Sequence, residues 1–111
     1  KRDISVIKGN TIAFTMSFSD LEDTLTGAYF SAKDRIDDDE YAFQVTLGNG
    51  ISQIDDTDKY LINVPPSMTK DLDVGAYYYD LTVVIGSNVY TLLYGILSVK
   101  PGVTDVPNLN Q

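Results

Sequence analysis

Cysteine, histidine and tryptophan are all absent from these 111 residues. Without cysteine there is no disulfide, no thiolate metal site and no cysteine nucleophile. Without histidine, the commonest general base near neutral pH and the commonest transition-metal ligand are gone. Basic residues are scarce, eight against sixteen acidic ones, for a formal charge of −8. Such a surface repels phosphate, which argues against nucleic acid and anionic membranes as partners. No apolar run approaches the ~20 residues that span a bilayer. The longest, Leu81–Gly86 and Leu92–Val99, are strand-sized. No signal peptide is visible, and the chain does not open on Met. There is no glycine-rich phosphate loop; Gly86 and Gly95 stand alone and read as turn and strand glycines. The expectation is a chain without cofactor, metal or catalytic residue, hence not an enzyme.

What remains is rich in tyrosine, valine, isoleucine and threonine, at a length that suits one domain. Apolar residues make up 43% of it, enough for a modest core. Alternation dominates. In 12–18, Ile12, Phe14, Met16 and Phe18 point one way and Ala13, Thr15 and Ser17 the other. In 41–47, Tyr41, Phe43, Val45 and Leu47 share a face, as do Tyr60, Ile62 and Val64 further on. Tyr77, Tyr79, Leu81, Val83 and Ile85 form another such set. A period of two repeated over so many segments predicts strands. They fall near 4–7, 11–19, 28–34, 41–47, 51–54, 59–64, 76–85 and 89–99. Turn residues separate them: Lys8-Gly9-Asn10, Asp20–Gly27, Ile36–Glu40, Gly48-Asn49-Gly50, Asp55–Asp58 and Gly86-Ser87-Asn88. The Asn-Gly pair favours a tight hairpin. Pro65-Pro66 ends a strand, and Ser67–Asp71 has room for one helical turn capped by Ser67. Strands without intervening helices predict antiparallel pairing and two packed sheets. The leading architecture is all-β: an immunoglobulin-like Greek-key sandwich of about seven to eight strands, with a jelly roll or small barrel as the alternative. The sandwich is expected to occupy 1–102, and 103–111 reads as a tail.

Residues 71–83 read DLDVGAYYYDLTV. Leu72, Gly75 and Tyr77 have the spacing of a tyrosine corner, where the Tyr hydroxyl bonds back to backbone upstream and glycine permits a tight approach. Tyr77 is then structural, and Tyr79 follows it inward by alternation. Tyr78 falls outside with Asp80, Thr82 and Val84. The final strand allows two phases, both of which leave large apolar groups outside. A bulge near Gly95 is one way to relieve this. Without it, Tyr78, Val84, Tyr90, Leu92, Tyr94 and Ile96 form one exposed face, the candidate protein interface.

Asp37-Asp38-Asp39-Glu40 and Asp55-Asp56-Thr57-Asp58 are the densest acidic clusters. Neither has the glycine and terminal glutamate of an EF-hand loop, and both read as solvated turns. Carboxylate pairs for glycoside chemistry would need a cleft that nothing in the sequence indicates.

One further pattern is narrower. Gly9-Asn10-Thr11 opens the strand IAFTMSF; Asp20-Leu21 and Leu25-Thr26-Gly27-Ala28 follow; a strand ends at Lys33-Asp34. Far downstream come Leu72-Asp73-Val74-Gly75-Ala76-Tyr77-Tyr78-Tyr79-Asp80-Leu81 and a last strand through Gly95 to Lys100-Pro101-Gly102-Val103-Thr104. This order, from residue 4 to 104, resembles the small immunoglobulin-like domains of tailed-bacteriophage structural proteins. It is most similar to the N-terminal domain of the baseplate upper protein family. The resemblance implies a virion building block, assembled in the host cytoplasm, in a baseplate, tail, or head fibre or decoration. Its partners would be other virion proteins, as a homo-oligomer or a hetero-assembly. Family members usually continue into a long helical or receptor-binding region, whereas this chain stops at Gln111, which reads as a stand-alone adaptor, decoration or fibre base. The alternative expectation is a bacterial surface or secreted module that binds carbohydrate or protein, with Tyr78 and Tyr90 stacking on sugars.

Overall fold

The structure is a computed structural model that describes residues 1–17, 25–55 and 59–103. The strands are β1 (Ile4–Ile7), β2 (Ile12–Ser17), β3 (Gly27–Lys33), β4 (Phe43–Leu47), β5 (Gly50–Gln53), β6 (Lys59–Val64), β7 (Gly75–Ile85) and β8 (Asn88–Lys100). One helical turn, α1 (Pro66–Thr69), lies between β6 and β7. The expected Asp20–Gly27 connection, the Asp55–Asp58 turn and the tail lie wholly or partly outside the described residues, as does the end of the strand expected at 11–19.

Alternation translates directly into burial. Phe43 and Val45 of β4, Tyr60, Ile62 and Val64 of β6, and Tyr77, Tyr79, Leu81 and Val83 of β7 are buried. Their odd-even neighbours face water or the rim. β4 starts two residues later than expected, leaving Tyr41 exposed ahead of it. Ser67 is not the cap of α1: Pro65 holds the N-cap position in extended conformation, with no side-chain cap bond, and Pro66 begins the helix. Proline suits that place because its missing N–H would have had no partner in the first turn. Thr69 closes the segment, fully buried, its hydroxyl donating to the carbonyls of Asn10 (2.7 Å) and Pro66 (3.3 Å).

The sheet order is β1-β8-β7-β3-β4-β5-β6-β2. Strands 3, 4, 5 and 6 are neighbours in turn, and β7 returns to lie beside β3, a Greek-key path. Two expectations need correction. The pairing is not all antiparallel: β1 runs parallel to β8, and β4 meets β5 through a short parallel register at Thr46↔Gly50 and Leu47↔Ile51. Nor are there two separate sheets, since that β4–β5 contact makes the hydrogen bonding continuous. The sandwich is one sheet folded over on itself. Phe14 of β2 and Phe30 of β3, far apart in sheet order, meet edge to face with centroids 5.4 Å apart.

The fold line depends on glycine. Thr46 and Asn49 exchange reciprocal backbone bonds (3.0 and 2.8 Å), so Leu47 and Gly48 are the central turn residues rather than the Asn49-Gly50 pair. Gly48 has φ +88°, and Gly50 has φ +104°. A Cβ on Gly50 would sit 2.5 Å from that of Val45, closer than any two carbons can pack.

Phe30 is fully buried at the centre of the core. Besides Phe14 it contacts Phe43 and Tyr79, each with centroids 5.7 Å away. Leu97 and Val99 complete the core from β8.

Candidate functional site

The corner is built from backbone outward. Tyr77 is buried, and its hydroxyl donates to the Asp73 carbonyl at 2.8 Å. Leu72 is buried as well. The space where Gly75 would carry a Cβ is open, so close approach is not its role; glycine is needed there for its φ of +152°. Burial raises the Tyr77 pKa above its ordinary value, reinforced by the Asp73 charge and opposed by the bond to the Asp73 carbonyl.

Tyr79 is also buried, and its hydroxyl donates to the carbonyl of Arg2. Burial raises its pKa, opposed by Arg2 and reinforced by Asp3. Here the amino-terminal residues cross β8. Arg2 N donates to the Tyr94 carbonyl at 2.9 Å, and Ile96 N donates to the Asp3 carboxylate at 3.0 Å. The crossing requires Gly95, because a Cβ there would lie 2.3 Å from the Arg2 carbonyl oxygen.

The six candidate interface residues do not form one face. Leu81 pairs with Leu93 and Thr82 with Thr91, so Leu92 is the extra residue of a β-bulge. The bulge lies at Leu92 and not near Gly95. It inverts the phase beyond it. Cross-strand partners share a face. On the carboxyl-terminal side of the bulge, Tyr94 pairs with Asp80 and Ile96 with Tyr78, all facing outward. On the other side, Tyr90 pairs with the buried Val83 and so belongs to the inner face, though it is 44% exposed. Val84 pairs with Val89 outside, near the hairpin end. Tyr78, Tyr94 and Ile96 thus make one group, and Val84, Tyr90 and Leu92 lie at the hairpin end, on different faces.

The outer group opens onto a larger surface. β3 lies beside β7 with Tyr29↔Thr82, Ser31↔Asp80 and Lys33↔Tyr78 in register. β4 adds Gln44 opposite Ser31. Together they line a concavity of about 880 Å³. Tyr29, Tyr41, Tyr78 and Tyr94, all at least 40% exposed, surround it. Ile36 and Ile96 line it as well, and polar groups pair across its floor: Gln44 Nε2 donates to Ser31 Oγ at 2.9 Å, and Thr82 Oγ1 donates to Asp80 Oδ1 at 3.2 Å. Thr82 also shares a 3.0 Å hydroxyl bond with Thr91. At one end the Lys33 ammonium lies 5.1 Å from the centroid of the Tyr41 ring and donates to the Asp38 carbonyl. Sequence reasoning did not bring Tyr29, Ser31 and Gln44 to this site. A signal existed for Tyr29, which breaks the inward set Ala28, Phe30 and Ala32.

The Leu25-Thr26-Gly27-Ala28 motif has a local role. Leu25 and Ala28 are buried, and Thr26 donates twice to the Val84 carbonyl, from N (2.8 Å) and Oγ1 (3.0 Å). The Tyr29 ring lies across Gly27, 3.4 Å from where its Cβ would be. The motif fastens the start of β3 to β7.

In the acidic turn, Arg35 N donates to Asp38 Oδ2 at 3.1 Å, and the largely exposed Arg35 and Asp37 side chains pair at 3.6 Å. Among the described residues no group of three or more His, Cys, Asp or Glu is placed to hold a metal ion.

This strand order, folded over a single core and locked by a tyrosine corner, is that of an immunoglobulin-like β-sandwich. Of the solved structures, the chain is similar to a swine CD8aa homodimer, with a TM-score of 0.50 and 11% identity. The likeness covers 88% of this chain and 92% of that one, and it shows the fold alone. No protein-family model and no curated protein matches the chain.

Proposed function

We propose that this chain is a structural protein of a tailed-phage particle, an adaptor in a baseplate, tail, or head fibre or decoration, that works by protein–protein assembly. The motif order from Gly9 to Thr104 supports the reading, and the immunoglobulin-like fold agrees with it. The observation that carries the assembly mechanism is the end of the β7–β8 hairpin. Val89 is 65% exposed, and Tyr90 and Leu92 are exposed beside it, although the core has no use for them there. Tyrosine is enriched in protein interfaces, and apolar groups gathered in this way mark contact surfaces. Burial against a neighbouring virion protein, or another copy, removes them from water at about 25 cal/mol per Å².

The test has two parts. Mass spectrometry of purified particles should find the chain at fixed stoichiometry, and its absence there overturns the virion reading. Sedimentation with its assembly partners should weaken on Leu92→Asp or Tyr90→Asp; unchanged sedimentation rejects the hairpin end as the contact. A second reading, a bacterial surface or secreted binding module, is favoured by the tyrosine-edged concavity, and the particle experiment separates the two.

A further inference from the structure

We infer that the concave outer face of β8, β7, β3 and β4 is a binding site for a short neutral oligosaccharide. The inference holds under either reading of the chain's place, because it concerns a different surface from the hairpin end.

Shape narrows the occupant first. About 880 Å³ lies within the usual range for small-molecule sites. Two copies of a concave face brought together would touch at their rims and trap water between them, burying little surface. A second copy is therefore a poor occupant, and an inserted ligand a good one. Backbone chemistry narrows it further. An extended peptide is commonly recognised by adding a strand to a free sheet edge. At the centre of the floor there is none: β3 lies between β7 and β4, and β7 between β3 and β8. β4 pairs with β5 at Thr46 and Leu47, which leaves at most the three residues 43–45 of its outer edge, too short for a strand-adding peptide. β8 is taken by β7 on one side and by β1 and Arg2 on the other.

The middle of the floor thus offers side chains, with hydrogen-bonding groups set beside the apolar Ile96. Ser31 and Thr82 present hydroxyls, Gln44 an amide and Asp80 a carboxylate. A carboxylate has about four acceptor positions, and Thr82 occupies one. A half-buried carboxylate in the middle of a sheet suits a pair of adjacent hydroxyls. It would penalise a purely apolar ligand, which leaves it unpaired. Around the floor stand four tyrosine rings, which combine an apolar face for ring C–H groups with a polar tip for hydroxyls. Polar floor and aromatic wall together match a molecule with hydroxyls on its edge and C–H on its face. The formal charge of −8 disfavours an anionic sugar, and of the two lysines that line the concavity, Lys1 and Lys33, the Lys33 ammonium already contacts the Asp38 carbonyl.

The experiment titrates the full chain, uniformly ¹⁵N-labelled, with neutral hexasaccharides. The set is α-1,4- and β-1,4-linked glucose, β-1,4-linked N-acetylglucosamine and α-1,6-linked mannose. Each reaches about 5 mM, enough to detect a millimolar Kd. At least one sugar should shift the amide signals of Ser31, Gln44, Tyr78 and Thr82. Asp80→Asn, which preserves shape, and Tyr94→Ala, at an exposed position, should each weaken that binding tenfold or more. Leu92→Asp should leave it within twofold. Thermal melts of each variant separate lost binding from lost fold. No shift with any of the four sugars, shifts confined to another surface, or binding indifferent to Asp80→Asn would each overturn the inference.

Discussion

Of the three adjacent tyrosines, Tyr77 ties a corner, Tyr79 ties down the amino-terminal residues and Tyr78 faces the concavity. The first two can be tested by removing one oxygen. Tyr77→Phe keeps the buried ring and deletes the bond to Asp73, whose carbonyl water can partly reclaim. The expected loss is about 1 kcal/mol in urea unfolding, the ordinary net value of one hydrogen bond. A neutral result would mean the hydroxyl does not hold the corner. The same two tyrosines set a pH limit. Burial raises both pKa values in the folded chain above the ordinary value of 10.0, so folding favours the protonated form. Their contribution is intact below the unfolded pKa and is lost as pH rises through the folded one. Melting temperature should therefore fall at pH above about 10, more steeply than in the double variant Tyr77→Phe, Tyr79→Phe. Equal slopes would show that other groups govern alkaline unfolding.

Gly50, against Val45, and Gly95, against Arg2, decide how elements meet. Ala at Gly95 would drive its methyl into the Arg2 carbonyl, and the amino-terminal residues must lift away. Gly95→Ala should cost about 1–3 kcal/mol in the full chain, the usual range for overpacking. It should cost much less in a chain lacking residues 1–3, which supply the three atoms nearest the added methyl. An equal cost in both backgrounds would place the strain within β8 itself. This dependence also shows why part of the fold was hidden in the sequence. The strands were legible because Tyr60, Ile62 and Val64, or Tyr77, Tyr79, Leu81 and Val83, alternate without interruption. The phase of β8 was not, because Tyr90, Leu92, Leu93 and Tyr94 satisfy either face, and only pairing with Leu81 and Thr82 identifies Leu92 as the extra residue. The parallel placement of β1 and the crossing at Gly95 are long-range contacts with no local signature. The concavity was hidden for the same reason: Gln44, Ser31, Asp80 and Tyr94 become neighbours only through the order β4-β3-β7-β8.

The whole molecule depends on whether a sheet folded over at one short β4–β5 pairing behaves as one unit. Phe30 is the residue to ask, since it touches Phe14 from the far end of the sheet as well as Phe43 and Tyr79 on its own side. Phe30→Ala should cost about 3–5 kcal/mol, the range for emptying a buried phenylalanine site. Against a total of about 5–15 kcal/mol for a chain of this size, that is a large share. At roughly 4–8 °C per kcal/mol, melting should fall by more than about 12 °C. Phe14→Ala should cost less, because Phe14 is only half-buried. If the Phe14–Phe30 contact joins the two halves, the double variant should fall short of the sum of the singles by about 0.5–1.5 kcal/mol, the value of an edge-to-face pair. The shape of the transition then carries the conclusion. One sharp step by both circular dichroism and tyrosine fluorescence means the halves are stable only together. Two steps, with the second unaffected by Phe30→Ala, would mean that β2, β5 and β6 unfold apart from the rest, and the fold line at Gly48–Gly50 would then be a hinge between separable parts.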